Sequence, residues 1–135
     1  MYLLPIAVAV SLAALAQSAT IDCHARPSDF LSGEQYWSGI PANVEAPVKN
    51  RIYVLKSGEI TWNHYPLNID ELDYLLKQVR NSGYHPLTQF EWDDRAPCSS
   101  IELVRSMMRQ RLGCAHSRNC MEGADPRAVL PPSRP

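Results

Sequence analysis

The chain lacks a surplus of either charge. Thirteen Lys and Arg stand against fourteen Asp and Glu, a formal net charge of −1 over 135 residues. Nucleic-acid proteins need a basic face to neutralise phosphates, so no nucleic-acid partner is expected. There is no apolar run of the roughly 20 residues that a transmembrane helix requires, so no stable membrane span is expected. Glycine-rich phosphate loops, zincin motifs, internal repeats and long like-charge blocks are all missing. The length is too small for an eight-unit βα barrel or a complete dinucleotide-binding enzyme. His24, His64, His85 and His116 are scattered without ligand spacing, so neither a metal nor a cofactor is expected. What remains is a 45% apolar, 20% charged composition, which is that of one globular domain.

The longest apolar stretch, Leu3 to Ala16, begins a segment with no charged side chain up to Thr20. Its length suits the apolar centre of an export signal, and Ala16 and Ser18 suit positions −3 and −1 of a cleavage site. Residues 1–18 are therefore expected to be an export signal, and the protein to be periplasmic or secreted. An uncleaved anchor is the competing reading. Export places Cys23, Cys98, Cys114 and Cys120 where disulfides persist. Four cysteines allow three pairings. Cys98 and Cys114 flank one expected helix, which would hold them about 24 Å apart at ~1.5 Å per residue, far beyond disulfide reach. The pair Cys114–Cys120 closes a short loop, and by elimination Cys23 reaches Cys98. A metal is the competing reading, since Cys114, His116 and Cys120 are three soft ligands. They lack the second ligand pair that zinc sites show.

Residues 19–50 have no sustained period, and Pro27, Pro41 and Pro47 interrupt them. They read as an irregular arm, with one helical turn between Asp29 and Trp37. Residues 123–135 carry four prolines and read as a flexible tail. Between them the pattern is regular. Arg51 to Lys56 and Glu59 to Asn63 are β-rich runs separated by Ser57-Gly58, which reads as a two-residue hairpin turn. Asn68 with Glu71 forms a capping-box signature ahead of Ile69, Leu72, Leu75, Leu76 and Val79 on one helical face, and Gly83 is a stop. Leu87 to Asp93 alternates as a strand. Ser99 with Glu102 repeats the capping signature before Ile101, Val104, Met108 and Leu112, and Gly113 ends that helix. The order hairpin, helix, strand, helix predicts an α+β two-layer sandwich. Both helices lie on one face, and the strand after the first helix runs parallel to a hairpin strand. Trp62, Phe90 and Trp92 are expected in the core rather than in a ligand-stacking site.

The run from Ile52 to Asn63, then Pro66 to Leu72, resembles the periplasmic domain of the ExbD/TolR family: strand, Gly turn, strand ending in Asn, and a capped helix opening with Glu71-Leu72. The likeness continues through Phe90 to Asp94, an apolar strand ending in acid. It goes on through Ala96 to Cys98 and the stripe of Ile101 and Val104, covering residues 51–122 as an ExbD/TolR-like domain. The resemblance implies an exported, non-catalytic binding module of energy-coupling machinery, touching an envelope protein or peptidoglycan, with a strand-mediated homodimer left open. It does not carry proton transport over, because Leu3 to Ala16 holds no Asp. The family's closing strand has no clear counterpart: either it is lost, or Ala128 to Leu130 supplies it. Glu91, Asp93, Asp94 and Arg95 form the densest charged cluster and the candidate partner surface. Glu91 and Asp93 share a strand face while Asp94 points away, so spacing shows no facing acid pair of the glycosidase kind. Ser99 reads as a cap rather than a nucleophile. Two other classes remain: a small secreted disulfide-stapled inhibitor or effector, and a small enzyme, which would need carboxylates and histidines to converge in a cleft.

Overall fold

A computed structural model describes residues 22–41, 43, 49–83 and 86–126. The expected export segment, His85 and Ala128 to Leu130 lie outside the described residues.

The protein is α+β. Strands β1 (Lys49–Val54), β2 (Ile60–Trp62), β3 (Tyr65–Leu67), β4 (Leu87–Trp92) and β5 (Cys120–Glu122) form one mixed sheet in the order β3-β2-β1-β4-β5. Among the described residues three α-helices accompany it: α1 (Gly33–Ser38), α2 (Ile69–Asn81) and α3 (Cys98–Leu112). A 3₁₀ turn, Cys114–His116, follows α3. β1 pairs antiparallel with β2, and β4 pairs parallel with both β1 and β5. The parallel pairing of β1 with the strand after α2 is the one expected from the sequence.

Alternation along the strands sorts the two faces. Ile52, Val54, Ile60 and Phe90 point to one side, where they form a single core with Leu72 and Leu76 of α2 and Ile101, Val104 and Met108 of α3. Each such side chain contributes about 1.5–3 kcal/mol of burial. Leu87 and Met121 point to the other side and are covered by Tyr36 and Trp37 of α1. The second cover was not expected. The sequence implied helices on one face only, because six residues are too few to show a period.

The α2 capping box forms as expected, with Asn68 Oδ1 accepting from the Glu71 N–H at 2.9 Å. A second box, Ser32 with Gln35, opens α1. The Ser99–Glu102 box does not form. α3 begins at Cys98 after Pro97, which lacks an N–H and biases the residue before it away from helix, so the helix does not extend further back, and it has no side-chain cap. Ser99 is therefore inside the first turn, and Glu102 turns to Arg105. Gly113 ends α3 in the left-handed conformation. Phe90 is fully buried, while Trp62 and Trp92 are half-buried against the core rather than within it.

Both turns of the β1-β2-β3 meander differ from expectation. The first loop holds three residues rather than two. Leu55 N–H donates to Glu59 O at 2.8 Å, and Gly58 N–H to Leu55 O at 2.9 Å. Gly58, at φ +88°, takes the left-handed position that closes a three-residue loop. The second turn, Asn63-His64, has φ values of +49° and +75°, the conformation of a two-residue hairpin loop. It creates β3, a strand absent from the sequence reading. Asn63 is suited to it, and its Oδ1 also accepts from the Arg51 N–H at 2.8 Å. His64 pays a strain of about 1–2 kcal/mol in this conformation, against a Gly entropy cost of about 0.5–1 kcal/mol. His64→Gly should therefore raise stability by about 0.5–1 kcal/mol. A urea midpoint unchanged or lowered in that variant would contradict the turn assignment.

A short strand follows α3: β5, only three residues long, beginning at a disulfide cysteine. Cys114–Cys120 and Cys23–Cys98 are both bonded, the pairing expected by elimination. The staple at Cys23 brings the arm back to the sheet. Leu31 N–H donates to Cys120 O at 3.0 Å, and Glu122 N–H to Leu31 O at 2.9 Å, so Leu31 caps the outer edge of β5. Gly33 lies so close to the chain after β5 that a Cβ there would stand 2.7 Å from Ala124 O. Trp37 Nε1 donates to Asp125 Oδ1 at 2.6 Å, and Lys49 Nζ meets Asp125 Oδ2 at 2.9 Å.

Candidate functional site at the carboxyl ends of the parallel strands

In sheets with parallel strands, ligands settle beyond the carboxyl ends, where chain departs to helices and leaves polar backbone uncovered. Here β1, β4 and β5 run parallel. Beyond β4 and β5 lies an open hollow of about 300 Å³, lined by His24, Glu91, Trp92, Asp94, Gly123 and Ala124.

Two parts of the chain meet there because of one disulfide. Cys98 is the first residue of α3, and Cys23 is bonded to it across 75 positions of sequence. That bond delivers His24 to the end of β4. Trp92 Nε1 donates to His24 Nδ1 at 3.1 Å, so the unprotonated ring nitrogen is Nδ1 and the neutral imidazole carries its proton on Nε2. The His24 backbone N–H donates to Asp22 Oδ1 at 3.0 Å.

The candidate charged residues divide into two groups. Glu91 and Asp94 line the hollow. Strand β4 ends at Trp92, so strand alternation does not extend to Asp94. Asp93 and Arg95 instead build the turn into α3. Asp93 Oδ1 accepts from the Arg95 backbone N–H at 2.9 Å and from Arg95 Nε at 3.3 Å. The Arg95 backbone N–H is the main cause that holds the Asp93 carboxyl below its ordinary value. Glu91 Oε1 accepts from Arg51 Nε at 3.2 Å and from Gln89 Nε2, and Gln89 Nε2 also donates to Gly123 O at 2.9 Å. Glu91 is thus held by Arg51 of β1 and Gln89 of β4, whereas Asp94 is exposed.

Arg105 packs against Trp92, one of the lining residues. Its side chain is 1% exposed and meets a Glu122 side chain that is fully buried. Nη2 to Oε1 is 2.5 Å and Nε to Oε2 is 3.0 Å. Arg105 Nη2 also donates to Ala25 O at 3.2 Å, Nη1 to Glu102 Oε1 at 2.5 Å, and the guanidinium sits 5.1 Å from the Trp92 ring centre. One side chain thus ties α3, β5, the arm and β4 together. Burial pushes the Glu122 carboxyl upward, and the Arg105 guanidinium opposes that push.

His64 lines a separate hollow with Arg51 and Tyr53, and His116 lies past the far end of α3. Neither joins His24. Cys114 and Cys120 are bonded to one another, so the Cys114–His116–Cys120 arrangement has no thiolate to offer. Among the described residues, one group gathers metal-ligating types: the donor atoms of Cys23, His24 and Cys98 lie within 4.8 Å of one another. With the disulfide closed, its sulfurs carry no thiolate. His24 and Trp92 were not singled out as site residues in the sequence. The available signal was the adjacency of Cys23 and His24, read together with the Cys23–Cys98 pairing.

No helix among the described residues is long and apolar enough to cross a membrane. The chain matches no family model, and no curated protein matches it.

Proposed function

We propose that the protein is an exported, non-catalytic binding module of ExbD/TolR-like architecture. It recognises an envelope protein or peptidoglycan through the carboxylate-bearing hollow formed by Glu91 and Asp94. The observation that carries this reading is the sheet order. Three parallel strands with α2 and α3 on one face set those carboxylates at the ligand-accepting end of the sheet. The order hairpin, helix, strand, helix, which the resemblance implies, supports the same architecture.

Strand addition is disfavoured as the mode of binding. Leu31 occupies the β5 edge. At the other edge, the two-residue loop makes Trp62–Tyr65 the bonded pair, so the nitrogen of Pro66 faces outward and has no proton to donate. The same blunting disfavours a strand-mediated homodimer.

A second reading, a secreted inhibitor or effector, draws support from a separate observation. Both disulfides are closed, and residues 22–41 pack onto β5 and the second sheet face. Retention experiments separate the two. Immobilised protein should retain purified peptidoglycan sacculi or a discrete protein from an envelope extract, and Asp94→Lys should lose most of that retention. Failure to retain either material, or retention indifferent to Asp94→Lys, overturns the envelope reading.

A further inference from the structure

We propose that reduction of the Cys23–Cys98 disulfide opens a three-ligand site for the thiophilic cation Cu(I), made by the two thiolates and the His24 imidazole. This goes beyond envelope binding and does not depend on it.

The geometry is close to what such an ion needs. Ligand atoms about 2.3 Å from a shared ion in a trigonal arrangement stand about 4 Å apart. The three donors here already lie within 4.8 Å of one another, and once the roughly 2 Å S–S bond is broken the two sulfurs must separate by about a further 2 Å to span the ion. Soft thiolates favour Cu(I), and three donors complete a trigonal site, whereas zinc would want a fourth. Cys98 heads α3, where the helix N-terminus favours a thiolate. The imidazole lone pair is now held by the Trp92 N–H. It would pass to the ion.

The site is accessible on one side and anchored on the other. Cys98 and His24 are exposed, while Cys23 is 2% exposed. A dithiol reductant therefore attacks at the Cys98 sulfur. Its thiolate bonds to Cys98 Sγ and the Cys23 thiolate leaves. The second thiol then resolves the mixed disulfide. The dithiol gives up two electrons and two protons and becomes a disulfide, and Cys23 and Cys98 become thiols. Cu(I) then replaces the two thiol protons.

The test uses the full protein, reduced with excess dithiol under anaerobic conditions. Equimolar Cu(I) should raise its thermal midpoint by several degrees, because an ion held by the folded site stabilises the fold. Cys98, the exposed cysteine, should react with an alkylating reagent in the reduced protein and be shielded once Cu(I) is bound. His24→Ala, a change at an exposed residue, should abolish the thermal rise and weaken Cu(I) retention against a chromogenic chelator by at least about tenfold. An unchanged or lowered midpoint would mean that the ion is held by unfolded thiols or not at all. That result, alkylation of Cys98 unchanged by Cu(I), or a rise preserved in His24→Ala, would overturn the proposal.

Discussion

Replacing Arg105 by methionine is expected to cost about 3–5 kcal/mol of folding stability, a large share of the about 5–15 kcal/mol that a domain possesses. The reason is what the change leaves behind. Glu122 is fully buried, and Arg105 supplies both of its short contacts. Without the guanidinium, a carboxylate remains in the core with burial opposing its charge, and Ala25 O loses a donor. Glu102 contributes little, because its side chain is 45% exposed and water replaces that partner. Adding Glu122→Leu to Arg105→Met should recover most of the loss, since a matched apolar pair is often as stable as a buried ion pair. Urea denaturation of the two variants measures both numbers. A single-variant cost below about 1 kcal/mol would mean that the pair is wet and that Arg105 does not tie α3 to β5.

The second large effect concerns the staples, which should be unequal. Cys23–Cys98 closes 75 positions and Cys114–Cys120 closes 6. On chain entropy alone the first should contribute about 4 kcal/mol and the second about 2 kcal/mol. Cys23→Ser with Cys98→Ser should therefore lower the denaturation midpoint far more than the corresponding change at Cys114 and Cys120. It should also expose residues 22–41 to proteolysis, because that staple returns the arm to the end of β4. Equal losses, or the reverse order, would show that the short loop bears the fold. Small domains with limited cores depend on such links.

The parts of the fold legible in the sequence were those with a periodic signal or a covalent constraint. The apolar face of α2 repeated over enough turns to be read, and Asn68 with Glu71 marked its start. β4 alternated through Phe90 and Trp92. The disulfide pairing followed from the length of α3. The unread parts were short or non-local. β3 and β5 have three residues each, too few for alternation to register. β3 exists because Asn63-His64 adopts a turn normally signalled by glycine. β5 is a strand because β4 and Leu31 offer hydrogen bonds on its two sides, which no property of Cys120-Met121-Glu122 announces. The start of α3 was misplaced because Ser99 and Glu102 imitate a capping box, while Pro97 sets the boundary two residues earlier.

The candidate site was half legible for the same reason. The cluster of Glu91, Asp93, Asp94 and Arg95 was visible as charge density, but its division into hollow-lining and turn-forming residues depends on where β4 ends. His24 and the buried Arg105–Glu122 pair come together only in three dimensions, through contacts spanning 68 and 17 positions. Arg105 was hidden on a helix whose exposed face carries other arginines.

The claim on which the account rests is an exported module held by two disulfides. Intact-mass analysis of the protein from its native cell, with and without reduction, tests it most directly. The account predicts a chain that begins after Ser18 and weighs four hydrogens less before reduction than after it, matching Cys23–Cys98 and Cys114–Cys120. A chain that retains Met1 to Ser18 and carries four free thiols would contradict it.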